Sequence, residues 1–205
     1  MPGLNKAEIK LFKKLNTPAK IQDFLETIPF NFEKGGETCM SPRRVLKNNR
    51  AHCMEGAMLA AAILKFQGHA PLLIDLRAHK KDQDHAIAVF KINGKWGAIS
   101  KTNHIVLRYR EPVYDSVRQL VMSFFHEYFL DDGKKTLRSY TNPINLSKFD
   151  KKNWIKSTED LWYIDEYLNK APHIPVLNKT QTASLRSADP IEIKAGKLTV
   201  WPARR

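Results

Sequence analysis

Apolar residues recur along this chain with two different periods, and the change of period divides it into zones. In residues 5–14, NKAEIKLFKK, they fall at helical spacing and predict a short amphipathic helix. Thr17 followed by Pro18 is an N-cap with proline at the first helical position, opening a second helix to about Glu26. Ser41-Pro42 repeats that signal at SPRRVLKNN. A long alanine-rich helix is expected from about His52 to Gln67, with Gly68 just past its end. From there the period shortens. PLLIDL (71–76), HAIAVFKI (85–92) and KWGAIS (95–100) have strand character, and Asn93-Gly94 joins the last two as a type I′ hairpin. HIVLRYR (104–110) either continues that strand or turns away from it, with Arg108 and Arg110 alternating onto one face.

Helical spacing then returns. YDSVRQLVMSFFHEYFL (114–130) places Val117, Leu120, Val121, Phe124, Phe125 and Tyr128 on one face, and DDGKKTLRSYTNP reads as a loop. Ser157 to Asp160 resembles a capping box opening STEDLWYIDEYLNK. Past Pro172 the chain turns polar, and PIEIKAGKLTVW would form a small terminal hairpin. Helices, then consecutive strands with a hairpin, then helices predict an α+β fold with an antiparallel sheet. The expected organisation is one domain over residues 1–170, its core at about 41–110, followed by a C-terminal extension over 171–205.

Composition narrows the functional classes. A hydrophobic content of 42% over 205 residues is that of a globular chain with a good-sized core. No apolar run approaches the length of a bilayer span, and the first residues show no apolar signal segment. A cytoplasmic location with both cysteines, Cys39 and Cys53, as reduced thiols is therefore expected. Two cysteines without a matching His or Cys pair do not form a zinc motif, and neither a metal nor an organic cofactor is implied. The net charge of +13 raises nucleic acid as a partner. Because the Lys and Arg residues are spread along the whole chain without interleaved stacking aromatics, a basic surface or an anionic ligand is favoured over nucleic-acid binding.

The chemistry concentrates at RAHCMEGAMLAAAILKFQGH. Cys53 sits where the long helix begins, and a helix N-terminus with Arg50 and His52 nearby lowers a thiol's pKa. A nucleophilic thiol also needs a base within reach. His52 is adjacent, but neighbours on a helix point in different directions. His85 opens a strand that is otherwise apolar on both faces, the position from which a sheet offers chemistry to a helix packed on it. Glu55 reads as a first-turn acid favoured by the helix dipole.

A cysteine opening a helix, a glycine past that helix, an apolar strand, and then His85 followed by Gly94-Lys95-Trp96 together resemble the transglutaminase-like superfamily, relatives of the papain-type cysteine proteases. The matching stretches are SPRRVLKNNRAHCMEGAMLAAAILKFQG and DHAIAVFKINGKWGAIS, about residues 41–100. WGAISKTNH and GKKTLRSY are similar to a bacterial subfamily for which resemblance implies a fold but no activity. The resemblance implies a nucleophile helix packed on an antiparallel sheet with flanking helices. It also implies acyl transfer on a peptide, protein or small amide substrate, with Cys53 as nucleophile and His85 as general base and acid. The family's third member is an aspartate, and this chain has Ser100 there.

Hairpin arithmetic bears on that position. With Ile92 opposite Lys95, His85 would face Thr102, and Ser100 would lie diagonally on the same face within about 7–8 Å. Asn103 would fall on the other face. Ser100 and Thr102, both neutral, are the candidates on the His85 face; Ser100 is taken as the orienter, its short side chain favouring a bridge through water over direct contact. Asp82 and Asp84 flank the base. Two other classes compete with the enzyme reading. One is a binding domain of the same fold that has lost catalysis with the triad acid, and the other is an anion- or nucleic-acid-binding protein.

Overall fold

The computed structural model describes residues 3–201; Met1, Pro2 and the last four residues of the expected C-terminal extension lie outside them. In chain order, the helices α1 (Lys6–Lys14), α2 (Pro18–Thr27), α3 (Pro42–Asn48) and α4 (Cys53–Phe66) precede the strands β1 (Leu72–Ala78), β2 (His85–Ile92), β3 (Lys95–Ile99) and β4 (Arg110–Tyr114). Then come α5 (Val117–Met122), β5 (Leu137–Thr141), β6 (Ile144–Asn145), α6 (Trp162–Lys170), β7 (His173–Pro175), α7 (Lys179–Ala183) and α8 (Pro190–Gly196). The fold is α+β. Its seven strands form one sheet in the order β4-β3-β2-β1-β5-β7, with β6 beside β1, and every strand pair is antiparallel. Among the described residues, no helix is long and apolar enough to cross a membrane.

Local chemistry explains the first half. Asn5, Thr17 and Ser41 each cap a helix, accepting from the backbone N–H three residues on. Helix α4 ends as a Schellman motif: His69 N–H donates to the Leu64 carbonyl and Gly68 N–H to that of Lys65. Asn93 and Gly94 take the left-handed conformations of a type I′ turn, with φ of 49° and 78°. The ladder then runs from Ile92–Lys95 to Ala88–Ile99.

The sheet separates two hydrophobic cores. Ala86, Ala88 and Phe90 of β2 pack into the core around α4, while Ile87 and Val89 pack into one with Leu120, Val121 and Phe124. This explains the unbroken apolar run of β2, since both its faces are covered. Helix α4 is buried on every side from Met54 to Leu64, enclosed by the sheet, α2 and α3. Its alanines permit that close approach.

Four expectations are corrected. The helix expected over 114–130 is confined to Val117–Met122, followed by a short 3₁₀ turn, Phe125–Glu127. Arg110 draws off its C-terminal end, donating to the Ser123 hydroxyl (2.9 Å) and carbonyl (3.1 Å), and Tyr114 belongs to β4 instead. The expected loop DDGKKTLRSYTNP contains β5, paired on one side with β1 and on the other with β7. Asp160 does not cap α6. It accepts from the Cys39 N–H at 2.9 Å and pairs with Arg44 at 2.8 Å, and the helix begins at Trp162. No terminal hairpin forms in PIEIKAGKLTVW. Pro190–Gly196 is helical behind the Asp189–Glu192 capping box, and the residues after it pair with the segment beyond β3, Val200 N–H donating to the Asn103 carbonyl.

Candidate active site

Cys53 is the first residue of α4, so the unpaired N–H groups and positive end of the helix dipole lie at its side chain. The chain enters through a short parallel bridge, in which Asn31 N–H donates to the Ala51 carbonyl and Ala51 N–H to that of Pro29. Glu55 fixes the corner. Its buried carboxylate accepts from the Thr38 hydroxyl (2.7 Å), Met40 N–H (3.0 Å), Asn31 side-chain amide (3.1 Å) and His52 N–H (3.1 Å). The acid read from sequence as a dipole partner is thus the hub that ties the 31–40 loop to the helix start.

Two imidazoles, His52 and His85, line the cleft with Cys53 and act on its thiol. His85, as predicted, opens β2 opposite Leu76 of β1 and is buried. His52 is the one sequence reasoning set aside. As N-cap its backbone is extended (φ −91°, ψ −173°), not helical, so its ring can reach the thiol that follows. Its Nε2 lies 2.9 Å from the Thr38 carbonyl and 3.5 Å from Glu55 Oε1. Burial works against an imidazolium there, but Cys53, Glu55 and the Thr38 carbonyl outweigh it and raise the pKa to about 9. Burial likewise opposes a Cys53 thiolate, and the two histidines overcome that, holding the thiol well below its ordinary value.

Ser100 stands directly behind His85. Its Oγ lies 2.8 Å from His85 Nε2 and donates to the Leu107 carbonyl at 2.5 Å. Because the hydroxyl has one proton and gives it to Leu107, it accepts from His85, which places the ring's N–H on Nε2 and leaves Nδ1 as its acceptor nitrogen. The contact is direct, without a bridging water. The ladder stops at Ile99, so Thr102 does not pair with His85; its hydroxyl accepts from His104 N–H instead. Asn103 is buried but makes no contact with the imidazole; its Oδ1 has no partner.

The supports of Ser100 were not legible. The Gln22 side chain of α2 brackets its backbone, accepting from Ser100 N–H and donating to its carbonyl, both at 2.9 Å. Leu107 adopts the left-handed conformation (φ 59°), a strain of about 1–3 kcal/mol that turns its carbonyl to Ser100. Its N–H is held by Glu127 at 2.9 Å, and Glu127 by Arg110 at 2.7 Å. Arg108 is not on β4 beside Arg110; it pairs with Glu26 at 2.9 Å. Lys101 is fully buried, donating to the Leu25 and Ile28 carbonyls at 2.9 and 2.6 Å, and burial lowers its pKa to about 8. Its stem occupies the space over Gly56, where an added Cβ would stand 2.4 Å from Lys101 Cβ. A glycine inside an alanine-rich helix was the one available sign of that close approach.

These residues open onto a cleft of about 950 Å³ lined by Cys53, His52, His85 and Lys101. Among the described residues, no group of three or more His, Cys, Asp or Glu side chains is arranged to hold a metal ion. Comparison of the sequence with protein-family models and with curated proteins gave no significant match.

Proposed function

We propose that the chain is a cysteine-dependent acyl-transfer enzyme of transglutaminase-like, papain-like build, acting on amide bonds. The observation that carries this reading is a thiol at a helix N-terminus held between two imidazoles, one of them oriented by a serine. The thiolate adds to the amide carbonyl carbon, forming a C–S bond, and the electron pair moves onto oxygen. The Cys53 backbone N–H, without a partner within its helix, is placed to receive that oxyanion. His85, having taken the Cys53 thiol proton on its free ring nitrogen as the thiolate formed, passes that proton to the leaving amine as the C–N bond breaks, leaving a thioester. Water or an acceptor amine, deprotonated by His85, then cleaves the thioester and returns the thiolate. His52 acts through charge as the counter-ion that keeps the thiolate formed.

Ser100 fills the position of the missing acid. A neutral partner cannot stabilise an imidazolium as a carboxylate does, but it can still set the tautomer, and loss of the tautomer is a large part of what losing a triad acid costs. His52 supplies the charge compensation from the other side of the thiol. Such a thiolate is readily oxidised, so a reducing compartment such as the cytoplasm suits it.

The neutrality of Ser100 also favours a second reading, a binding domain of the same architecture without catalysis. A thiol-directed electrophile separates the two. In the enzyme it labels Cys53 far faster than Cys39 near neutral pH, and His85→Ala removes most of the difference. Equal, slow labelling of both cysteines would leave the binding domain.

A further inference from the structure

The cleft over Cys53 carries a charge opposite to that of the chain. Against a net charge of +13, its walls present the carboxylates of Glu33, Asp82, Asp84, Glu127, Asp131 and Asp132. Among the described residues lining it, Lys101 is the one Lys or Arg, its ammonium held by the Leu25 and Ile28 carbonyls. The His52 imidazolium is the counter-ion of the Cys53 thiolate. Four of the carboxylates have a cation that does not line the cleft. Glu127 meets Arg110 at 2.7 Å, Asp132 meets Lys134 at 3.0 Å, Asp84 meets Arg77 at 3.8 Å and Asp131 meets Lys197 at 3.9 Å. Glu33 accepts from Thr38 N–H and lies 3.8 Å from His52, while Asp82 accepts from Gln83 N–H and the Thr136 hydroxyl.

A second observation is independent of charge. Asn103 lines the same cleft and is 7% exposed, yet its side-chain carbonyl accepts no hydrogen bond. A buried acceptor without a donor is uncommon, and a ligand N–H would satisfy it. Phe30 and Phe32, packed edge to face at 5.2 Å, add an apolar surface suited to an aliphatic stem. Acidic walls, an orphan acceptor and an aromatic shelf share one complement: a side chain with an alkyl stem and a donor-rich positive end.

We propose that the cleft selects cationic peptides, carrying lysine or arginine immediately before the acyl group that Cys53 attacks. This rests on the acyl-transfer reading and names its substrate class. The anionic ligand suggested by the net charge would meet like charge at this site.

Three dipeptidyl acyloxymethyl ketones, Lys-Lys, norleucine-norleucine and Glu-Glu, test it on the full chain. In each, the thiolate displaces the carboxylate leaving group and forms a thioether, and mass spectrometry counts the alkylated Cys53. The Lys-Lys probe should react roughly tenfold faster than the norleucine probe, with Glu-Glu slowest. The spread should narrow between about 50 and 500 mM salt as screening tightens. Glu33→Gln and Asp82→Asn should each reduce the Lys-to-Glu ratio; two variants are used because each carboxylate also holds a loop. Equal rates, or a faster Glu-Glu probe, would overturn the cation preference and leave the nucleophile standing. If no probe alkylates Cys53, the nucleophile reading falls and this proposal with it.

Discussion

Cys39 and Cys53 are the same residue in the same chain, brought by the fold to opposite chemistries. Cys39 is buried, its N–H held by Asp160 and its carbonyl by Leu161 N–H. Burial pushes its thiol up, and the carboxylates of Asp165, Glu55 and Asp160 push in the same direction. Cys53 is only half-buried and opens onto the cleft, where two imidazoles draw its thiol down against the cost of desolvation. Glu55 contributes to both environments. It disfavours a thiolate at Cys39, while at Cys53 it sustains the imidazolium that favours one. What separates a thiol drawn down from one pushed up is therefore the company each keeps, a property of tertiary structure rather than of residue type.

Substitutions can break this contrast in graded steps. The largest effect is expected from His85→Ala, which removes the proton carrier and should lower kcat/KM for an amide substrate by about 10²–10⁴. Glu55→Ala acts on the scaffold. It strips four donors of one acceptor, and a loss of about 3 kcal/mol is expected, visible as a Tm lower by roughly 6–12 °C in a thermal melt. Ser100→Ala should lower kcat by roughly ten- to a hundredfold with KM little changed, because it frees the imidazole to adopt the wrong tautomer. His52→Gln is the smallest and the most selective. Cys53 alkylation should slow by about tenfold at neutral pH, and its pH profile should move to higher pH while that of Cys39 stays put.

The pH dependence sharpens the same comparison without mutation. With its thiol held well below 9, Cys53 should keep alkylating as pH falls past the point where an ordinary thiol, titrating near 9, has already slowed. Cys39 should remain silent throughout. His52 gains partners on folding. Its contribution to stability is fully present below its unfolded value of 6.5 and is lost as pH rises through about 9. Chemical denaturation of the chain and of His52→Gln, both with free reduced thiols, would show this as a stability gap between the two at pH 6 that shrinks at pH 10; a gap that does not change with pH would dissociate His52 from stability.

Sequence patterning captured the parts of the molecule that local rules determine. Caps at Thr17 and Ser41, the start of α4 at Cys53, the Asn93-Gly94 turn and the β2–β3 register are each governed by neighbours a few residues apart. The failures have a common physical cause in long-range polar contacts. The LRSYT strand, β5, has a polar alternation that looks like a loop, and it becomes a strand because β1 and β7 take its backbone groups on both sides. The helix after β4 stops at Met122 because Arg110 reaches Ser123 from a different strand. In the site, Cys53 stood out at a helix start and His85 at the mouth of an apolar strand, and Ser100 entered through the superfamily resemblance together with the hairpin register. His52 was dismissed by applying helical geometry to a residue that is a cap, and Gln22, Leu107 and Lys101 have no local signature at all.

The Gln22 bracket on Ser100 has a practical consequence. Ser100 and Lys101 lie past the end of β3, and α2 holds both through one side-chain amide and two carbonyls near its C-terminal end. A fragment trimmed to residues 41–100 would retain Cys53 and His85 yet lose the splint that holds Ser100 behind the imidazole. An expression strategy that removes the first 27 residues as a dispensable leader would therefore yield a chain with its thiol in place and its imidazole unsupported.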